Sequence, residues 1–571
     1  MPQLLKALPK PPKRNYVPSD LNCSLLNDLV RICHELLSRP LPTVPSVMRW
    51  FQDISEFSTV LEEYEALVYI RKSVNTRDKK AQAAFLHLIQ RVHPGLAPYK
   101  DKLNKRLLEH PLRDKFPKSW KRMLLFRENS VKLFHEKNVP LESKIEETAQ
   151  EYSLLMGGLE VTFENKKQTL IQMGVYLERS DRSLRKRAWE AVAKRRYEER
   201  EKIELIYNRL IQLRHETAVN AGFPNFRDYC HLKYDRFDYT PKECYQFHDS
   251  VEEVVIPMVR KITERRAKEM KLPRLRPWDL AVDSLGRPPL KPFLHGRELA
   301  LLSQRLFARL DPQLGRQFRR LMRYGVLDLD NRSGKEPGGY QTTLPERKLP
   351  FIFMNAVGRD TDVRTLLHEG GHAFHMLASC DLPVADYRHA PTEFCEVASM
   401  GMELLANREM KVFYSNPDDL ERSTRTLLEG TLEVMPWVAT IDAFQHWIYT
   451  HPGHSSEERH REWMKIRARF SDDTDWEGLE RYQEVLWQRQ LHLFGIPFYY
   501  IEYGIAQLGA WMVWRRSLKN RARALHAYKQ ALKLGGSFDL HRLFKTAGGK
   551  FDFGVKTMKP LVETVMSYLG Y

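Results

Sequence analysis

Residues 365–375 read Thr-Leu-Leu-His-Glu-Gly-Gly-His-Ala-Phe-His. His368 and His372 are four positions apart, so a helix projects both from one face, one turn apart. Two imidazoles at that spacing reach a single zinc ion at ~2.0–2.1 Å each. Glu369 lies on a flanking face, where it can bond the metal's water instead of the metal. Leu366, Leu367, Ala373 and Phe374 surround these residues with apolar side chains. A helix whose His and Glu were merely solvated would not need them, so this helix reads as buried. Buried His and Glu require partners, and one zinc ion per chain serves them together. His375, three residues on, reads as a structural histidine.

A catalytic zinc takes three protein ligands and keeps a fourth position open. Residues 391–400, Pro-Thr-Glu-Phe-Cys-Glu-Val-Ala-Ser-Met, are the best source of the third. Pro391 and Thr392 mark a helix start, and Glu393 and Glu396 stand one turn apart on one face. Either carboxylate suits the metal, and the other then holds a ligand histidine by its second ring nitrogen. Residues 379–390 are long enough to reverse the chain and lay this helix beside the first. Cys395, next to Glu396, reads as a packed core thiol.

Upstream, a Ser-Gly-Lys-Glu-Pro loop (333–337) leads into Gly338, Gly339 and Tyr340. Gly334-Lys335 is not a phosphate loop, because position 329 is Leu and position 336 is Glu. Residues 350–355, Pro-Phe-Ile-Phe-Met-Asn, predict a strand. An edge strand beside a zinc helix can pair its backbone with an extended peptide, and the same run also suits an ordinary core strand. Gly338, Gly339, Tyr340, Phe351 and Phe353 are the substrate-binding candidates on this side. Far downstream, residues 492–503 read His-Leu-Phe-Gly-Ile-Pro-Phe-Tyr-Tyr-Ile-Glu-Tyr. Tyr500 and Tyr503 can share a helix face, and a protonated phenol can donate to a developing oxyanion. His492 is a further donor. The same aromatic run also suits an ordinary helix core.

Elsewhere apolar residues recur at helical spacing over 44–72, 78–91, 100–110, 117–137, 181–220, 241–271 and 297–323. A Pro-rich loop occupies 273–293. The fold class is mainly α, with an N-terminal helical lobe over 1–185 and a catalytic region over 186–571.

The chain has 571 residues, 42% of them hydrophobic, enough for a large core. No apolar run approaches the ~18 residues a membrane helix needs. Residues 1–20 lack the apolar stretch of a secretory signal. Six cysteines are scattered without a Cys-x-x-Cys pair. Both observations point to the cytoplasm. The net charge of +18 invites a nucleic-acid reading. The basic residues are spread over amphipathic helices, however, and no nucleic-acid signature accompanies them. A basic surface suited to acidic peptides fits better, and no nucleic-acid partner is expected.

These stretches together resemble the oligoendopeptidase F group of the thimet-oligopeptidase-type zinc metallopeptidases. The resemblance rests on 338–340, 350–355, 365–375, Phe394-Cys-Glu-Val-Ala-Ser399 and Pro497-Phe-Tyr-Tyr-Ile-Glu-Tyr-Gly-Ile-Ala-Gln507, with support from Arg276-Pro-Trp-Asp-Leu280 and Ala221-Gly-Phe223. It spans roughly 180–570. It implies zinc held by His368, His372 and Glu396, with Glu369 as general base and Glu393 left as the supporting carboxylate. It also implies that His492, Tyr500 and Tyr503 lie over the scissile carbonyl, with Tyr499 able to replace Tyr500. The implied fold is a two-lobed helical ellipsoid with a deep channel that admits short oligopeptides, and a small β-sheet beside the zinc helix. The expected activity is endopeptidase cleavage of oligopeptides. Two rivals stand beside it. A zinc carboxypeptidase of related helical fold would cut stepwise from the C-terminus. A basic zinc protein that only binds would have no use for Glu369. The sequence leaves open the oligomeric state, the cleavage preference and the choice of zinc over another divalent metal.

Overall fold

Helices make up most of the chain in the computed structural model, which describes residue 5 and residues 7–332, 334–336 and 338–571. Ser333 and Pro337 of the predicted loop lie outside the described residues, as do 1–4 and 6 of the N-terminal stretch. Eight helices build and enclose the site: α1 (Val44–Val74), α2 (Arg182–Glu198), α3 (Pro241–Ser250), α4 (Asp360–Ser379), α5 (Thr392–Ala406), α6 (Pro417–Thr450), α7 (Ser456–Arg469) and α8 (Tyr500–Lys519). Local chemistry starts several of them. Thr43, Thr240 and Ser455 form capping boxes with residues three positions on, and Pro stands in the first turn of α1 and α3.

The predicted helices hold in kind and differ at their ends. The run 181–220 breaks at Glu199, between α2 and a helix at Arg200–Asn220. The run 297–323 breaks at Asp311, because Pro312 has no N–H to continue it, and the Asp311 carboxylate caps the helix that follows. The predicted segments 78–91 and 100–110 join through a helix at His93–Leu108.

Five strands are present among the described residues. β1 (Glu160–Phe163) and β2 (Lys166–Thr169) form a hairpin. β3 (Leu327–Asp330), β4 (Tyr340–Leu344) and β5 (Leu349–Ala356) form a sheet in the order β3-β5-β4. β5 runs parallel to β3 and antiparallel to β4, with Tyr340 opposite Phe353 and Gln341 opposite Ile352. The expectation that 350–355 is the edge strand is therefore overturned: β5 is the centre, and β4 is the edge beside the metal helix. All of β5 except Asn355 is buried, the mark of a strand covered on both faces. Lys335 tightens this sheet by donating from Nζ to the carbonyls of Asp328 (3.1 Å), Asp330 (2.9 Å) and Met354 (2.5 Å).

Two hydrophobic cores organise the chain. The smaller draws on residues between Val17 and Met123, closed by Val384 and Tyr387. The larger runs from Ala66 to Leu569 and contains β5, α4, α5, α6 and α8. α1 belongs to both, giving Trp50, Phe57 and Leu61 to the first and Ile70 and Val74 to the second. α1 thus links the two cores and lies against the sheet that flanks α4.

Candidate metal centre

The two adjacent glycines of the His-Glu-Gly-Gly-His run let α4 and α5 touch. A Cβ at Gly371 would stand 2.6 Å from the carbonyl oxygen of Ala398 and from the Cα of Ser399. Gly370 faces the ring of Phe307, whose Cζ would meet a Cβ at 2.8 Å. The start of α4 is fixed by Asp362, whose carboxylate accepts the N–H groups of Arg359 (2.9 Å) and Val357 (2.8 Å).

Close approach brings Glu396 of α5 to the histidines of α4. Its Oε2 lies 3.3 Å from His368 Nε2 and 3.6 Å from His372 Nε2. These three donors converge within 4.8 Å of one another, and two imidazole nitrogens with one carboxylate oxygen form a donor set that suits zinc. His368 Nδ1 bonds Glu403 at 2.8 Å, so Nε2 is the nitrogen free for a metal. The backbone of Cys395 accepts from His372. Tyr499 donates to Glu396 Oε1 at 2.6 Å and Ser399 to Oε2 at 3.0 Å. Burial opposes ionisation of Glu396, yet His372, His368 and the Tyr499 hydroxyl hold its pKa at about 2. Burial lowers His372 to about 4. Burial also works against charge on His368, but hydrogen bonds to Glu396 and Glu403 raise it.

Glu403 is the residue that sequence reasoning missed, and it takes the place proposed for Glu393. Glu403 is seven residues beyond Glu396, two turns along the same face of α5. Glu393 turns away from the histidines. It accepts from the Tyr239 hydroxyl (2.7 Å) and lies 3.6 Å from Arg236 Nε. Arg236 in turn bonds the carbonyl of Phe498 (2.6 Å) and the carboxylate of Glu502 (2.7 Å). Glu393 therefore anchors the segment that carries the tyrosines.

Glu369 is buried beside the three donors, and burial, aided by Glu396 and Glu403, pushes its pKa up to about 7. The backbone of Gln341 on β4 bonds its carboxylate. Gly338 has φ +97 and is exposed, and Gly339 lies against the backbone of Phe353. Tyr340 is taken up by packing: its ring stacks on Phe353 at 4.8 Å, and its hydroxyl meets Ser73 of α1 at 2.5 Å. Phe351 and Phe353 are fully buried. The Phe351 and Phe353 side chains are closed off from a peptide, so that expectation is corrected for them, and Tyr340 stays half-buried: on this wall the candidate surface is the backbone of β4. A cavity of about 100 Å³ lies against it, lined by Gln341, Thr343, His372 and Cys395 together with Thr59 and Glu62 of α1.

The downstream cluster covers the other side. Gln490 Nε2 donates to His492 Nδ1 at 2.7 Å, which leaves the His492 proton on Nε2, 3.4 Å from the Tyr503 hydroxyl. Burial lowers His492 to about 4 and raises Tyr503, so at neutral pH one is a neutral imidazole and the other a protonated phenol. Tyr503 also feels the charges of Glu396 and Glu369. Tyr499 is engaged with Glu396, and Tyr500 hydrogen-bonds Trp437 and Gln490.

A second group of metal-competent side chains, Cys244, Asp442 and His446, is fully enclosed between α3 and α6. There Asp442 Oδ2 lies 2.8 Å from His248 and 3.2 Å from His446, a buried carboxylate balanced by imidazoles.

The peptidase family M3 pattern matches residues 175–559, and that of the M3 N-terminal domain matches 32–134. The chain belongs to peptidase family M3. It is a metalloendopeptidase resembling oligoendopeptidase F. No curated protein matches it. Among solved structures, one assigned as an oligoendopeptidase F shares 26% identity at a TM-score of 0.91, covering 97% of this chain and 98% of its own. PZ peptidase A with an inhibitor matches at 26% identity and a TM-score of 0.91, covering 98% of each chain. A Bacillus anthracis structure assigned as oligoendopeptidase F, at 24% identity and a TM-score of 0.87 over 97% of each chain, shares the fold. In this M3 chain the family pattern takes in every donor described above except the α1 wall, which lies within the N-terminal match. No helix among the described residues is long and apolar enough to cross a membrane.

Proposed function

We propose that this M3 peptidase uses zinc to hydrolyse internal bonds of short, extended oligopeptides. The observation that carries the reading is the convergence of His368, His372 and Glu396 beside a buried carboxylate, Glu369, against the open edge of β4. His368, His372 and Glu396 would hold the metal, with Glu403 and the Cys395 backbone orienting the imidazoles. A zinc ion held there would supply Lewis acidity, polarising the scissile carbonyl and acidifying the attacking water.

The rest is done by the chain itself. A peptide would extend along β4, pairing its backbone with the free edge, so that many sequences fit. Residues 1–185 would form the lobe that closes over it, and 186–571 the catalytic region. Glu369 takes the proton of the attacking water and delivers it to the departing amine. Its carboxyl, lifted toward neutrality by burial, suits a group that must both accept and release a proton. The Tyr503 phenol donates to the carbonyl oxygen as charge builds on it, with the His492 Nε2–H beside it. The six cysteines are free thiols, which supports action in a reducing cytoplasm.

Mass spectrometry of a mixed peptide library digested by the metal-loaded protein tests the reading. Internal cuts are expected. Stepwise loss of C-terminal residues would make the chain a carboxypeptidase, and intact peptides would leave it a binding protein.

A further inference from the structure

A cavity of about 420 Å³ lies between α2, α6, α7 and the turn at Leu486–Arg489. Its lining includes three arginines from separate elements: Arg196 of α2, Arg467 of α7 and Arg489. Among the described residues none of the three has a salt bridge or a side-chain hydrogen bond, and the Nε atoms of Arg196 and Arg467 are buried without a partner. Most other arginines in the chain are spoken for, as Arg182 and Arg185 are by Asp279. Three unpaired guanidiniums facing one space repel each other, an arrangement that costs stability unless an anion enters.

Building on the peptidase reading, we propose that this cavity binds a carboxylate of the peptide substrate, either its C-terminus or an acidic side chain, through Arg196, Arg467 and Arg489. Trp437 stands in the middle of the group, with Arg489 Cζ 4.9 Å and Arg467 Cζ 5.6 Å from its ring. Stacked guanidiniums keep their N–H edges free for a bidentate carboxylate. Arg489 is open to the cavity but enclosed by protein. Burial, followed by the charges of Arg196 and Arg467, depresses its pKa to about 10, a sign that the three interact. Acidic groups offset them only in part. Glu433 and Asp472 also line the cavity; burial, against the pull of Arg266, raises Glu433 toward its neutral form, and of the three arginines Asp472 acts on Arg467. Arg266, a fourth cation in the lining, is held by the carbonyls of Asp279, Leu280 and Val282.

The site is linked to the chemistry through hydrogen bonds. Trp437 Nε1 donates to Gln490 Oε1 at 2.9 Å, and Gln490 holds His492, the neighbour of Tyr503. Gln490 thus joins the arginine cavity by hydrogen bonds to the imidazole beside Tyr503. The apolar walls, Met156, Leu177, Val259 and Phe470, suit the side chain beside such a carboxylate.

The test uses peptides of one length in three forms: free acid, C-terminal amide, and amide with one Glu in place of Gln. Hydrogen bonds to a charged group predict a KM about 10- to 100-fold lower for a carboxylate-bearing form than for the neutral amide. If the C-terminus is the ligand, the free acid gains and the cut falls at a fixed distance from that end. If an acidic side chain is the ligand, the Glu-containing amide gains instead. Arg467→Gln and Arg489→Gln, made separately so that either alone suffices, should collapse the ratio between forms toward one. Equal KM for all three forms in the unmutated protein, or a ratio that survives both substitutions, overturns the anion site while peptide cleavage still stands. Calorimetry of the same peptides on Glu369→Gln reads binding alone. Absence of any cleavage would sink the peptidase reading, and the calorimetric preference for acid over amide would still decide the pocket.

Discussion

Replacing Gly371 by Ala should damage the metal centre out of proportion to the single methyl it adds. The new Cβ would stand 2.6 Å from two backbone atoms of α5, where ordinary contact begins at 3.4 Å. Neither atom is a flexible side-chain tip, so the helices must part by about 0.8 Å. Overpacking of this kind costs ~1–3 kcal/mol, and loss of a helical glycine returns up to ~1 kcal/mol. The net expectation is a loss of about 1–2 kcal/mol in chemical denaturation. The larger effect is on the metal. Glu396 lies two residues before Ala398, on the same rigid helix, and moves with it. Ligand distances tolerate only about ±0.2 Å, so metal affinity should fall on the order of 10²-fold, read by chelator competition. Gly370→Ala is the control: its Cβ meets Phe307 Cζ, a ring edge that can tilt. That variant should stay within ~10-fold of unmutated affinity. Unaltered metal affinity in Gly371→Ala, or a larger loss in Gly370→Ala, would refute the claim that the first glycine contact sets the ligand geometry.

Glu403→Gln should keep the fold and weaken metal binding by ~10–100-fold, as loss of an orienting partner does; unchanged affinity in the same competition assay would remove Glu403 from the centre. Tyr503→Phe should lower kcat by ~10²–10³ with little effect on KM, and an unchanged kcat would return Tyr503 to the helix core. His231 is held neutral, its pKa lowered to about 4 by burial first and by Arg236 second. The unfolded chain takes up this proton at ~6.5, so stability from His231 is full above that pH and is lost as pH falls toward 4, by up to ~3 kcal/mol. Denaturation midpoints across that window should fall less steeply for His231→Gln, whereas parallel profiles would contradict the assignment.

The metal helix was legible because its chemistry is local: two histidines and a carboxylate fixed by helical spacing, framed by apolar residues. The glutamate helix followed from the same logic, and the family resemblance then favoured Glu396 over Glu393. The supporting carboxylate did not, because Glu393 and Glu403 both lie within reach of the ligand face on paper, and only the position of Arg236 and Tyr239 draws Glu393 away. The seven-residue spacing of Glu396 and Glu403 was the available signal. The strand at 349–356 was visible, yet its place at the centre of the sheet depended on two partners, β3 and the adjoining β4, which are short and weakly patterned. Its unbroken apolar run was the clue that it is covered on both faces. The glycine contacts and the arginine cavity are properties of packing between distant elements, and no local pattern in the sequence encodes them.

Turnover of one internally quenched oligopeptide by Glu369→Gln, at full metal loading confirmed by elemental analysis, tests the central claim most directly. The account predicts a metal content equal to that of the unmutated protein and nearly complete loss of cleavage, because Glu369 moves the proton and does not hold the metal. Cleavage near the unmutated rate with the metal in place would contradict it.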